Sequence, residues 1–334
     1  MDILILIIIS IFVLLTVLFI LMTYLMIRFK IGKRKAELQW QRPVVRKIKN
    51  LGTTKSLEIT PLIDWYTSRK DLKGEAGVSY LIKTDENSIL FDVGYNMEQR
   101  DPSPLLHNMK QLGITMDDFD TIVISHNHLD HVGGMKWQRQ RSFSLTVHQI
   151  DLGKKPVFAP IPMTYPGLEP ICAENPTVIA NGTATIGTIL NQDFFLGQIS
   201  EQALAVNIEG KGIVLIVGCG HQTLPKILKR AEALFEEPIY GIIGGLHYPV
   251  TDSRVKLMGI KMQKYLGICK LPWRAITMDE VRENIDFLKK LNPGIVGLSA
   301  HDSCDASIAA FRNAFSTVYK EIKVGKRIAI NNDK

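Results

Sequence analysis

Ser125-His126-Asn127-His128-Leu129-Asp130-His131-Val132-Gly133-Gly134 gathers three histidines and a carboxylate within six residues. It follows Asp120-Thr121-Ile122-Val123-Ile124, an apolar, β-branched run of strand length. The cluster is therefore expected where a buried strand ends and a turn into a helix begins, which is where α/β sheets bind ligands. In extended chain, residues two apart point the same way, so His126 and His128 can bite one metal ion. Once the chain turns, Asp130 and His131 face elsewhere and can serve a second ion. Imidazole nitrogens and carboxylate oxygens are the usual ligands of zinc and of other first-row divalent ions. A run of surface or capping histidines is the bland alternative. One isolated histidine would favour it; this spacing does not.

These residues match the His-x-His-x-Asp-His signature of the metallo-β-lactamase superfamily, which the chain resembles. The resemblance implies an α/β fold, an αββα sandwich with a mono- or dinuclear metal site at one edge, and it covers roughly residues 57–330. Leu90-Phe91-Asp92-Val93-Gly94 resembles the family's first motif, in which the aspartate orients a ligand histidine from behind. On its own, Asp92 could equally be a turn residue. Glu201-Gln202-Ala203-Leu204-Ala205-Val206-Asn207 leads through a Gly-Lys-Gly turn to Ile213–Gly218 and Cys219-Gly220-His221. Gly244-Gly245-Leu246-His247 and Ser299-Ala300-His301 follow. Together they resemble the branch described as similar to dihydropterin ribofuranosylaminobenzene-phosphate synthase. One fold hosts many chemistries, so this likeness does not name a substrate.

The resemblance makes His301 the final ligand histidine, at the end of an Ile295–Leu298 strand; a polar residue ahead of the Ala306–Ala314 helix is the plainer reading. It places Cys219 where an acidic residue usually bridges two metals. A thiolate is a ligand zinc accepts, though a buried thiol is also common. The family's usual third histidine is missing, because Leu152 to Gly220 contains none. His221, directly after a strand end, is the preferred replacement and His148 the other candidate. His247 is read as a proton donor or substrate-orienting group, work suited to its near-neutral pKa, or else as a structural histidine. The expected centre is thus His126, His128, Asp130, His131, Cys219, His221 and His301 around two divalent ions. Zinc is the first choice, with manganese or iron as alternatives; Asp92 lies behind, and Asp130 and His247 are catalytic.

The N-terminus reads differently. Ile3 to Ile27 is 25 residues without a charge. As a helix it would span roughly 37 Å at about 1.5 Å per residue, enough for a bilayer core of about 30 Å. A cleaved signal peptide fits poorly, since no basic residue precedes the run and Tyr24-Leu25-Met26 is no small-residue cleavage site. Arg28, Lys30, Lys33, Arg34, Lys35, Arg42, Arg46, Lys47 and Lys49 follow, opposed only by Glu37, a net +8 over residues 28–50. Asp2 subtracts one and the chain totals +7, so residues 51–334 sum to zero. The balanced body argues against a nucleic-acid partner, and the basic flank places everything after residue 28 in the cytoplasm. It also suits anionic headgroups. Four well-spaced cysteines fit a reducing compartment.

Residues 1–27 are therefore expected to be a single transmembrane anchor, 28–56 a basic linker and 57–334 the metal-binding domain. Strands are expected at Leu57–Ile63, Val78–Lys83, Ser88–Phe91, Ser144–Val147, Thr183–Leu190, Phe194–Ile199, Ala203–Ile208, Ile213–Val217 and Ile239–Ile243. Helices are expected at Pro104–Leu112, Met135–Arg141, Asp279–Leu291 and Ala306–Val318. Residues 153–176 read as a long proline-rich loop. An insertion over 249–274 carries six basic residues and spaces Met258, Met262 and Leu266 as a helical stripe. That stripe could pack on the core, form a lid or lie on the inner leaflet. The expected activity is metal-assisted hydrolysis of a phosphoester or phosphoanhydride in a small molecule. An alkyl transferase with a diphosphate leaving group is the runner-up, and a non-catalytic tethered scaffold is the third reading. No P-loop or dinucleotide fingerprint is present. The oligomeric state has no sequence signal.

Overall fold

The computed structural model describes residues 3–42 and 47–331; residues 1–2, 43–46 (with the basic Arg46) and 332–334 lie outside them. Strands β1 (Ser56–Ile63), β2 (Ser79–Thr84), β3 (Ser88–Phe91), β4 (Thr121–Val123), β5 (Val157–Ala159) and β6 (Ile171–Cys172) come first. Next are β7 (Thr177–Ala180), β8 (Thr183–Thr185), β9 (Ile189–Asp193), β10 (Gly197–Glu201), β11 (Leu204–Ile208) and β12 (Gly212–Val217). The last are β13 (Ile239–Gly244), β14 (Lys256–Leu257), β15 (Ile260–Lys261), β16 (Ile295–Leu298) and β17 (Ile328–Asn331). The helices are α1 (Ile3–Gln41), α2 (Pro104–Gln111), α3 (Met135–Gln140), α4 (Leu224–Leu234), α5 (Met278–Lys289) and α6 (Asp305–Ala314).

Two sheets form, one ordered β17-β1-β2-β3-β4-β5-β6 and the other β16-β13-β12-β11-β8-β7. The period of two along each strand stacks them. In β12, Val214 and Ile216 turn to the space between the sheets, while Ile213, Leu215 and Val217 turn to the helices. In β3, Ile89 and Phe91 face the other sheet and Leu90 faces outward to α2 and α3. Leu224, Ile227, Leu228, Ala231 and Leu234 make the helical stripe of α4, which covers the second sheet together with α5 and α6. The result is the four-layer αββα sandwich expected from the sequence.

Parallel pairing decides where the site lies. β3 and β4 run parallel in one sheet, and β12, β13 and β16 run parallel in the other. Their C-terminal ends lead respectively to Asp92, to Ser125-His126, to Cys219, to His247 and to His301. Ligand types scattered widely along the chain thus reach one edge of the sandwich.

Several expectations are corrected. Ser144–Val147 is not a strand but a bend held by the Ser144 N–H to the Val132 carbonyl. Thr183–Leu190 breaks at Gly187, whose φ of +71° a strand residue cannot adopt, so β9 leaves the sheet and pairs with β10 in a separate hairpin. Phe194–Leu196 is the turn of that hairpin. The proline-rich segment contains β5 and β6. The methionine stripe of the insertion is not helical: β14 and β15 form a small hairpin around Gly259, which leaves Met258 96% exposed at its tip.

The expected linker differs as well. α1 runs unbroken from Ile3 to Gln41. Among the described residues it is the one helix long and apolar enough to cross a membrane. Its basic half seats on the β9–β10 hairpin. The Arg28 guanidinium donates to the Phe194 and Phe195 carbonyls at 2.7 and 2.8 Å, and Lys33 Nζ donates to Asn191 Oδ1 at 2.7 Å. Phe29 packs on Phe194 with ring centroids 5.8 Å apart.

Phe91 is fully buried between the sheets. Phe91→Ala should cost about 3–5 kcal/mol of unfolding free energy in a urea titration of the folded domain. A loss below about 1 kcal/mol would contradict this packing.

Candidate metal centre

The His126–His131 turn is built by glycines and by cross-sheet bonds. Gly133 sits at φ +87°, and a Cβ there would lie 2.1 Å from the Ser144 carbonyl. From the end of β10, Glu201 Oε1 accepts the backbone N–H groups of Cys219 and Gly220, both at 2.9 Å. Gln202 donates its backbone N–H to the Ser125 carbonyl and its side-chain amide to the Ile124 carbonyl, each at 2.9 Å. The Glu-Gln pair thereby ties the loop after β12 to the loop after β4.

The imidazoles are then oriented from behind. Asp92 accepts the Ser125 hydroxyl at 2.6 Å and the Ser125 N–H at 2.7 Å. With its hydroxyl hydrogen directed at Asp92, Ser125 Oγ accepts Nδ1–H of His126 at 2.9 Å. Asp92 also accepts Nδ1–H of His131 at 2.7 Å. Across the site the pattern repeats. Asp64 accepts the Ser299 hydroxyl at 2.6 Å, and Ser299 Oγ accepts Nδ1–H of His301 at 2.7 Å. His221 donates Nδ1–H to the Gly267 carbonyl at 2.7 Å. In each case the Nε2 lone pair is left to face inward, the tautomer a metal requires. Nε2 of His126 and of His221 are buried with no hydrogen-bond partner. Buried polar atoms without partners are costly, and a cation would satisfy these two.

The inward atoms fall into groups whose members lie within 4.8 Å of one another: Asp130, His131, Cys219 and His301; His126, His128 and His221; and Cys219, His221 and His247. Cys219 Sγ lies 3.0 Å from His131 Nε2 and 3.2 Å from His301 Nε2. The first two groups adjoin, with the His126 and His131 ring centroids 4.1 Å apart. Nitrogen, thiol and carboxylate donors in two abutting sets fit one or two divalent ions, and these donor types suit zinc.

Charge follows the same logic. Burial would lower the His131 pKa, but Asp92 and Asp130 push it up to about 9. Negative charge that favours a proton there favours a divalent cation in its place. Burial, then neighbouring imidazoles, holds His126 and His301 well below the usual histidine range and so neutral. Burial raises the Asp64 carboxyl to about 6 against the hydrogen bonds it accepts, and raises Glu201 to about 7.

His247 stands at the same edge. Its Nε2–H donates to the Leu266 carbonyl at 3.0 Å, and its Nδ1 is buried without a partner. It presents a lone pair rather than a proton, so a donor role needs Nδ1 to be protonated first. His148 belongs to none of the ligand groups, whereas His221 belongs to two of them. Three contributors escaped the sequence reading. Asp64 and Ser299 act through His301, and the buried Asp302 accepts the His247 N–H at 2.9 Å. Their only sequence signal is a polar residue beside a strand end, which turns also supply. A cavity of about 190 Å³ opens from His128, Asp130, Cys219, His221 and His247.

Comparisons with known proteins agree with this geometry. The family model described as "Metallo-beta-lactamase superfamily" matches residues 72–157. A 7,8-dihydropterin-6-methyl-4-(beta-D-ribofuranosyl)-aminobenzene-5'-phosphate synthase of Methanocaldococcus jannaschii is 23% identical over 263 residues, 66% of this chain and 88% of that protein. A transcription termination factor of Cenarchaeum symbiosum is 41% identical over 61 residues, but that is 18% of this chain and 10% of that protein. A solved metal-dependent hydrolase of the beta-lactamase superfamily superposes with a TM-score of 0.54 and 19% identity. The overlap covers 82% of this chain and 99% of that one. The resemblance to the superfamily, and to its dihydropterin-synthase-like branch, is borne out, and the chain carries the metallo-β-lactamase fold.

Asp64→Asn and Ser299→Ala should each weaken metal binding by roughly 10–100-fold, the usual effect of removing an orienting partner. Competition with a chromophoric chelator measures it. Unchanged affinity would show that His301 needs no such support.

Proposed function

We propose that this chain, with its metallo-β-lactamase fold, is a membrane-anchored metal-dependent hydrolase acting on a phosphoester or phosphoanhydride in a small molecule. The carrying observation is the set of histidines whose Nδ1 protons are committed outward and whose lone pairs converge on two adjoining donor groups. Two divalent ions held there, zinc first, would supply Lewis acidity that lowers the pKa of a water and stabilises phosphoryl charge.

The chain's own residues do the rest. Asp130 is half-buried at the cavity wall, where its carboxylate accepts the proton of an attacking water. His247 Nδ1 and the Asp302 carboxyl face the same space and can hold or pass that proton. Leu129 and Met135 shield the reacting atoms from bulk solvent. In this reading α1 spans the bilayer over Ile3–Ile27, and its basic half keeps the catalytic domain on the cytoplasmic side.

The similarity to the synthase supports a second reading. The same donor groups would then assist departure of diphosphate while a carbon centre is transferred to an aromatic acceptor.

Full-length protein loaded with zinc or manganese should hydrolyse bis(p-nitrophenyl) phosphate. A chelator should abolish turnover, and Asp130→Ala should lower kcat/KM by roughly 10²–10⁴-fold. Turnover confined to a diphosphate-bearing pterin and an aromatic amine would establish the transferase instead. No turnover, with under about one metal per chain, would leave a tethered scaffold.

A further inference from the structure

We propose that the cavity beside the metal centre takes the hydrocarbon tail of an amphiphilic phosphoester, which enters from the bilayer past the β9–β10 hairpin. The proposal rests on the hydrolase reading and names its substrate class.

Beside His128, Asp130, His221 and His247 the cavity wall includes Leu129, Met135, Leu196, Val255, Met262 and Leu266, with Tyr95, Gln138 and Gln263 as its uncharged polar members. Among the described residues no lysine or arginine lines it. A soluble, multiply charged phosphate compound would need such partners away from the reacting phosphorus. An alkyl tail needs none and gains from an apolar wall.

The wall also stands at the membrane boundary. Leu196 belongs to the hairpin turn whose Phe194 and Phe195 carbonyls are held by Arg28. Arg28 is the first charged residue after the uncharged run Ile3–Ile27. The turn therefore lies at headgroup depth if the run spans the bilayer core. Phe195 and Leu196 are 40% and 44% exposed there, and Trp273, whose ring lies 6.2 Å from that of Phe194, is 60% exposed. Phe195, Trp273 and, on α1, Tyr24 are exposed aromatics of the kind that settle at membrane interfaces. Lys30, two residues after Arg28, and Arg274, next to Trp273, bring positive charge suited to anionic headgroups.

Residues 266–269, whose Leu266 and Gly267 line the cavity, are tied to both hairpin and centre. The Cys269 N–H donates to Asp193 Oδ2 at 3.1 Å, and Gly267 accepts His221 Nδ1–H at 2.7 Å. Asn191, which accepts from Lys33 of α1, donates its own Nδ2–H to the His221 carbonyl. A tail leaving the bilayer beside Phe195 would pass Leu196 and bring its phosphate to the imidazoles.

The test uses full-length, zinc-loaded protein in phosphatidylcholine vesicles and a series of alkyl p-nitrophenyl phosphodiesters. Water oxygen bonds to phosphorus, the bond to p-nitrophenolate breaks with its electron pair, and the proton passes to buffer. At about fourfold per buried methylene, kcat/KM should rise at least about 30-fold from methyl to octyl. Leu196→Glu should reduce that octyl-to-methyl ratio at least about tenfold, with circular dichroism to check folding. The wild-type series decides alone if the variant does not fold. Equal turnover of methyl and octyl esters would overturn the lipid-tail proposal and leave the hydrolase reading intact. Failure to cleave any ester by fully loaded protein would instead remove the hydrolase reading.

Discussion

Everything at the site depends on where a few protons sit. Two buried carboxylates, Asp92 and Asp64, each accept a hydrogen bond from a serine hydroxyl, which leaves the serine oxygen free to act as an acceptor. That oxygen fixes Nδ1–H on the neighbouring histidine, and Nε2 is left bare. Asp92 and Ser125 follow β3 and β4 of one sheet, whereas the second relay joins the sheets, Asp64 following β1 and Ser299 following β16, and His131 and His301 face one another across Cys219. Without them the imidazoles would sample both tautomers, and half of the donor set would point protons at an incoming cation.

The relays meet because of topology. Parallel strands deliver their C-terminal ends to one edge, and both sheets contribute such strands. Glu201 then couples the edges by holding the backbone of the Cys219 loop. The basic half of α1 is built into the same body, since Arg28, Phe29 and Lys33 all bear on the β9–β10 hairpin. In this fold a long apolar helix and the histidine-bearing edge share a wall.

Much of this was legible in the sequence because it rests on short-range chemistry. Histidine spacing at the end of a β-branched run located the edge, and β3, β12 and β16 fall almost where apolar alternation puts them. What stayed hidden depends on distant partners. β17 pairs with β1 from the far end of the chain, so no local pattern marks it. Asp64 carries no local sign of its role, because its partner Ser299 comes from 235 residues on. The helical half of the basic segment looked like linker because its few apolar contacts, Phe29 and Ala36, are set by a hairpin far along the chain. Met258 and Met262 shared a helical spacing that Gly259 breaks, and only the fold shows Met262 facing the cavity.

The placement of the imidazole protons is open to direct measurement by long-range ¹⁵N–¹H correlation spectra of the zinc-loaded protein. His126, His131, His221 and His301 should keep a proton on Nδ1 and show the chemical shift of a metal-bound nitrogen at Nε2. Spectra with Nε2–H retained and Nδ1 bare at these positions would contradict the relays.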